Sequence, residues 1–244
     1  MEAIILCGGF ATRLEPITYF VPKPLLPVNG RPILDYIMES INGLGLKRIT
    51  ISANKKFADQ FALWVERSGY KNSMELRLVV EPTTNDGEKL GAVGGIEYVI
   101  ENAGIDDDLM IIAGDNLYDF DMKKLHGSFR ESGKPTIGLY DIKSKDEARR
   151  FGVVRVENGR ITEFAEKPEN PESTLISTGI YALPRKDLGS IKSYLDDKNH
   201  RDSPGYFIKW LAERKEVQGV VYEGRWFDIG TIDTYKAVFD QYIG

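Results

Sequence analysis

Residues 4 to 9, Ile4-Ile5-Leu6-Cys7-Gly8-Gly9, decide the fold: an apolar run as long as a short buried strand stops at two glycines. The same kind of run returns at Arg48 to Ser52, Leu76 to Glu81 and Leu109 to Ala113. Between them, Pro32 to Leu44 carries Ile33, Ile37, Ile41 and Leu44 at helical spacing. Asp59 to Ser68 carries Phe61, Leu63, Trp64 and Val65, and Ala92 to Asn102 carries Ile96, Val99 and Ile100. Strands separated by helices of this length predict right-handed βαβ units in a doubly wound sheet, with ligands at the carboxyl ends of the strands.

After Pro135 the pattern changes. Gly152-Val-Val-Arg-Val-Glu-Asn-Gly-Arg-Ile-Thr-Glu-Phe164 is two alternating runs joined by Asn158-Gly159, a hairpin signal. Leu175 to Leu183 and Val217 to Glu223 read as strands, Phe207 to Lys215 as a short helix, and Ile232 to Tyr242 as a terminal helix. No repeat, low-complexity segment or linker separates the halves. The expected class is α/β, a Rossmann-like doubly wound mixed sheet with an inserted α+β lobe. It forms one domain over residues 1–244, with lobes at about 1–140 and about 141–244.

Composition narrows the function. The chain has 244 residues, 42% of them hydrophobic, enough for a sizeable core. Lys plus Arg number 32 against 37 Asp plus Glu, a net charge of −5, which argues against a surface built for nucleic-acid phosphates. One cysteine, Cys7, and two histidines, His126 and His200, make zinc and Ser/His/Asp chemistry poor candidates. The N-terminus lacks a basic n-region, and no stretch approaches the ~18 to 20 apolar residues of a bilayer span. A soluble cytoplasmic protein is expected, with no membrane partner.

The loop after the first run gathers phosphate-binding chemistry. Adjacent glycines admit a phosphate to backbone N–H groups, Arg13 offers a planar fork, and Lys23, in Pro22-Lys23-Pro24, a point charge. The P-loop and GxGxxG spacings are both missing there. Alone, Gly8-Gly9 reads more simply as a tight strand exit. The conjunction carries more. Residues 6 to 28, LCGGFATRLEPITYFVPKPLLPV, resemble the GGxGTRxxPxTxxxPKxxxPV signature of the sugar-phosphate nucleotidyltransferases, such as glucose-1-phosphate thymidylyltransferase or uridylyltransferase. The likeness continues through Leu90-Gly-Ala-Val-Gly-Gly-Ile96, Ala113-Gly-Asp-Asn116, Phe151-Gly-Val-Val154, Glu166-Lys-Pro168, Ser177-Thr-Gly-Ile-Tyr181 and Trp226-Phe-Asp-Ile-Gly-Thr231, essentially the whole chain.

The resemblance implies a reaction: a sugar 1-phosphate attacks the α-phosphorus of a nucleoside triphosphate in line, giving an NDP-sugar and pyrophosphate. UTP or dTTP with glucose 1-phosphate is the first expectation, and GTP with mannose 1-phosphate the second. By position in the family, Arg13 and Lys23 are the catalytic cations. Leu6, Gly8, Gly9, Thr12, Glu81 and Gly91 surround the nucleotide. Gly152, Glu166, Lys167, Thr178 and Gly179 surround the sugar phosphate, and Asp115 and Asp228 bind Mg²⁺. The first lobe then binds nucleotide and the second sugar, with no appended β-helix domain and room for a homodimer through an exposed edge. A phosphate monoester has its second pKa near ~6, so the attacking oxygen needs no general base and the shortage of histidine is expected.

Two positions depart from the pattern. Ala11 stands where it has glycine, so a positive φ there would be strained. Ala92 stands where it has threonine, removing a hydroxyl from the nucleotide side. Three rivals share the fold or its chemistry. A glycosyltransferase usually carries an Asp-x-Asp pair, which Gly114-Asp-Asn116 is not. A regulatory subunit would be expected to lose the charged residues retained here, and a transferase for a non-sugar phosphate would not need Glu166, Lys167 and Gly152.

Overall fold

Alternate residues of the first strand face opposite cores. Ala3, Ile5 and Cys7 pack into one apolar cluster and Ile4 into another, so the strand is covered on both sides and reads as an unbroken apolar run. The computed structural model describes residues 1–197 and 199–241. Its strands are β1 (Glu2–Cys7), β2 (Pro27–Val28), β3 (Arg31–Pro32), β4 (Arg48–Asn54), β5 (Glu75–Glu81), β6 (Leu109–Ala113), β7 (Asn116–Tyr118), β8 (Thr136–Asp141), β9 (Gly152–Glu157), β10 (Arg160–Glu166), β11 (Leu175–Leu183), β12 (Gln218–Tyr222) and β13 (Trp226–Asp228). The helices are α1 (Ile33–Ile41), α2 (Ala58–Arg67), α3 (Ala92–Ala103), α4 (Lys123–Ser132), α5 (Lys145–Ala148), α6 (Gly189–Asp196), α7 (Pro204–Ala212) and α8 (Ile232–Gln241).

The main sheet runs β5-β4-β1-β6-β11-β8-β12-β10-β9. β1 is paired in parallel on both sides, Ile4 lying opposite Thr50 of β4 and Ile111 of β6. From β1 the chain steps outward through α1 and α2, then returns through α3 to β6 on the other side. The strand order therefore reverses between β1 and β6, the place where open α/β sheets bind ligands. α1, α2 and α4 cover one face through Ile37, Phe61 and Phe129. α3, α6 and α7 cover the other through Ile96, Ile191 and Phe207. β11 is antiparallel to both β6 and β8, which makes the sheet mixed, and β9 with β10 is the expected hairpin.

Several boundaries differ from the sequence reading. α1 stops at Ile41 rather than Leu44, because Gly43 and Gly45 take φ of 87° and 70°. α7 starts at Pro204, whose fixed φ suits a first turn. α4 and α6 escaped the reading, as did β8. α4 buries only Leu125 and Phe129 in an otherwise polar segment. The terminal helix was expected to reach Tyr242, which lies outside the described residues. Among the described residues, no helix is long and apolar enough to cross a membrane.

A short ribbon joins distant parts of the chain. β7 pairs with β13, placing Asn116 opposite Asp228. Aromatic rings clamp it to the sheet: Phe120 stacks on Tyr222 at 4.4 Å, and Trp226 meets Phe151 at 5.2 Å and Tyr140 at 5.9 Å. Such pairs add about 0.5–1.5 kcal/mol each beyond the area they bury.

Candidate active site

Two loops meet at the strand-order reversal. The Gly114 N–H donates to the Leu6 carbonyl at 3.0 Å, and a β-carbon on Gly114 would lie 2.6 Å from that oxygen, so only glycine lets the ends of β1 and β6 close up. Beyond Gly8 and Gly9, Ala11 sits at φ 51° and ψ 43°, so the loop keeps the left-handed conformation that the sequence left open and accepts its strain. Its carbonyl accepts from the Leu14 N–H and the Thr18 hydroxyl, each at 2.9 Å, which holds the strained residue in place. Thr12 and Arg13 follow in a single turn with exposed side chains.

Lys23 is buried at the floor of this junction. Its ammonium donates to Asp115 Oδ2 and to the Ile229 carbonyl, both at 2.7 Å. The ribbon brings Asp228 beside Asp115, and the Ile229 N–H reaches the Asp115 carbonyl at 3.4 Å. Burial first, and the Asp115 charge second, hold Asp228 above the ordinary carboxylate range, against the pull of Lys23, Arg150 and Arg13. Arg150, whose guanidinium is 3.9 Å from Asp228, was not singled out in the sequence. The junction thus has two carboxylates, one buried cation, and further cations at its rim.

A cleft of about 330 Å³ opens from the junction. Of the expected nucleotide residues, Leu6, Gly8, Gly9, Glu81 and Gly91 line it, together with Lys23 and Asp115. Lys89, Gly95, Asp202 and Pro204 line it too, unforeseen. Lys89 pairs with Asp202 at 2.9 Å across the cleft wall, and Val93 N–H donates to the Arg201 carbonyl at 2.8 Å. Gly91, at φ 77°, is required there: a β-carbon would lie 2.5 Å from that same carbonyl. Cys7 is buried, which pushes its thiol well up, so it is packing rather than a nucleophile.

The expected sugar residues are dispersed. Glu166 accepts from the Ser203 hydroxyl and packs against Gly205 and Gly152, where side chains would collide with Glu166 or Phe164. Lys167, at φ 47°, lies with Arg149 along a separate surface depression. Thr178 is buried, its hydroxyl donating to the Gly138 carbonyl and its own carbonyl accepting from Asn116 Nδ2 at 2.7 Å. Gly179 makes room for Ala113 and Asn116. Thr178 and Gly179 therefore brace the ribbon next to Asp115.

Comparison with known proteins identifies the family of the chain. A family model described as Nucleotidyl transferase matches residues 2–243. The bifunctional protein GlmU of Methanococcus aeolicus is 31% identical over 94% of this chain and 51% of its own. A mannose-1-phosphate guanylyltransferase of Mycobacterium tuberculosis is 29% identical over 96% of this chain and 62% of its own. The chain thus spans between half and two thirds of the length of these relatives. The crystal structure of a Bacillus anthracis protein assigned as a glucose-1-phosphate thymidylyltransferase, in complex with a sucrose, superposes with a TM-score of 0.84 at 25% identity, covering 98% of this chain and 94% of that one.

Proposed function

The chain belongs to the nucleotidyl transferase family, and on that premise we propose that it transfers a nucleoside monophosphate from a triphosphate to a sugar 1-phosphate, releasing pyrophosphate. The observation that carries the reading is the charge cluster of Lys23, Asp115 and Asp228 at the strand-order reversal, facing a glycine loop with Arg13 at its rim. Two anions must meet there and charge must build on the leaving pyrophosphate, so the reaction needs fixed cations more than acids or bases. Lys23 supplies one at the α-phosphate. The Ile229 carbonyl keeps it in place when Asp115 is otherwise engaged. Arg13, with its exposed side chain, suits the departing phosphates.

Asp115 and Asp228 fit a hard divalent cation, since they are neighbouring carboxylates and the burial and Asp115 charge that raise Asp228 are not offset by the cations nearby. Mg²⁺ held by them would neutralise the phosphates around the α-phosphorus. On the sugar side, Glu166 would accept from ring hydroxyls and Lys167 would reach the sugar phosphate, while Gly152 lets main chain approach. The names of the relatives favour no single substrate pair, and the choice of triphosphate turns on the wall of the cleft.

The test is pyrophosphate release with Mg²⁺, crossing UTP, dTTP, GTP, CTP and ATP with glucose, mannose, galactose and N-acetylglucosamine 1-phosphates. One dominant combination, abolished by EDTA, is expected. Silence throughout from a folded protein that binds triphosphate would refute the reading.

A further inference from the structure

Glu81 is 6% exposed, yet it forms part of the cleft wall. Its carboxylate lies against two glycines: a side chain on Gly8 would collide with it, and a β-carbon on Gly95 would come within 3.1 Å of Oε1. Among the described residues, the side-chain donor that reaches it is the Ser52 hydroxyl. Lys89, in the same cleft, is committed to Asp202 and Asp86. A buried carboxylate with one hydrogen bond is costly to keep, and burial pushes Glu81 up from the usual carboxylate range. A ligand that brings N–H donors removes that cost.

Resting on the transferase reading, we infer that Glu81 reads the nucleotide base and selects guanine, so that GTP is the triphosphate used. An ionised carboxylate accepts and never donates. Guanine presents N1–H and an N2 amino hydrogen side by side, and these two donors match the two carboxylate oxygens as an arginine fork does. Ser52 still fits, because a carboxylate has about four lone-pair sites. Uracil and thymine offer one N–H between two carbonyls, so Glu81 would gain one bond and face two acceptors. Adenine and cytosine set a ring acceptor beside the amino group, which suits only a protonated acid. Size agrees as well, because the cleft of about 330 Å³ has room for a double ring. The inference favours the second expectation from the sequence, GTP, over UTP or dTTP.

The experiment measures kcat/KM for GTP, ITP, UTP, dTTP, ATP and CTP with whichever sugar 1-phosphate supports turnover, in the wild type and in Glu81→Gln. Wild type is expected to use GTP at least about 100-fold better than UTP or dTTP, the scale on which a buried polar site rejects a mismatched partner. ITP lacks the N2 amino group and should fall about 10-fold or more below GTP, the usual cost of one hydrogen bond to a charged group. The glutamine carboxamide offers one donor and one acceptor, the complement of the uracil edge. In that variant the GTP over ITP gap should close, and UTP should gain on GTP by about 10-fold or more. If UTP, dTTP, ATP or CTP outperforms GTP in the wild type, or GTP and ITP are used equally, the guanine assignment is overturned and the transferase reading stands. If no triphosphate releases pyrophosphate with any sugar 1-phosphate, the transferase reading falls and the assignment falls with it. Should Glu81→Gln fail to fold, the wild-type GTP to ITP ratio decides.

Discussion

Ala11 offers a quantitative check on the phosphate loop. It holds φ 51° without being glycine, and the left-handed region costs an L-residue about 1–2 kcal/mol. Ala11→Gly removes that cost but returns about 0.4–1 kcal/mol through the freer unfolded chain. It also forfeits part of a methyl group that is half-buried against the main core, where a fully buried CH₂ is worth about 0.8 kcal/mol. The net is a stability change between about zero and +1 kcal/mol. Ala11→Val keeps the strain and adds β-branching in the same region, which should cost about 1–2 kcal/mol. The two variants should then differ by about 2 kcal/mol, and with about 2–4 °C per kcal/mol for a chain of this size the Tm gap is about 4–8 °C, glycine above valine. Thermal unfolding followed by circular dichroism on the wild type and both variants measures it. Equal melting of valine and glycine variants, or valine above wild type, would show that the loop does not hold Ala11 in the left-handed region.

Three further outcomes follow from the site and the charge pattern. Asp115→Asn should lower kcat on the order of 100-fold or more while the protein stays folded, since the Asp115 side chain is 38% exposed; unchanged Mg²⁺-dependent turnover would remove it from the metal site. Lys167→Ala should raise KM for the sugar 1-phosphate and spare that for the triphosphate, and the opposite split in steady-state kinetics would refute its placement. Asp107 is lowered to about 2 by Lys47 and the N-terminal amine, so its contribution to stability is present above its unfolded value of 3.8 and is lost as pH falls through about 2. Asp107→Ala should therefore melt below wild type at pH 7, with the gap narrowing between pH 4 and pH 2; a pH-independent gap would mean that packing, not charge, is lost.

The cleft wall that carries Gly8 and Glu81 was legible in place, though not in role, because both residues sit at the ends of strands that announce themselves. β1 and β5 are apolar runs that stop where the chemistry starts, so Gly8 and Glu81 fall at the carboxyl edge by counting along the chain. The opposite wall was not legible. Asp202 reaches the cleft from the segment before α7 and Pro204 as the first residue of α7, and Arg201 docks on Gly91 and Val93 through its backbone carbonyl, an interaction without a side-chain signature. Periodicity marks elements and their faces but not which distant loop leans on which. For the same reason β7 and β13, three residues each, left no pattern, although their pairing is what sets Asp228 beside Asp115.

Lys23 shows how such a long-range arrangement acts on chemistry. A lysine between two prolines reads as a solvated charge, yet here it is 9% exposed, which is tolerable only because acceptors from two other loops meet it. Those acceptors are unequal. The Ile229 carbonyl is a neutral main-chain group beside the ribbon, whereas Asp115 is a charged side chain, 38% exposed. On the proposed function, Asp115 would turn from Lys23 toward a divalent cation and leave the ammonium for a phosphate oxygen, while the Ile229 bond would keep Lys23 in position. Lys23 and Asp115 thus neutralise one another in the absence of substrate, and only Asp115 need turn to release the ammonium for the proposed reaction.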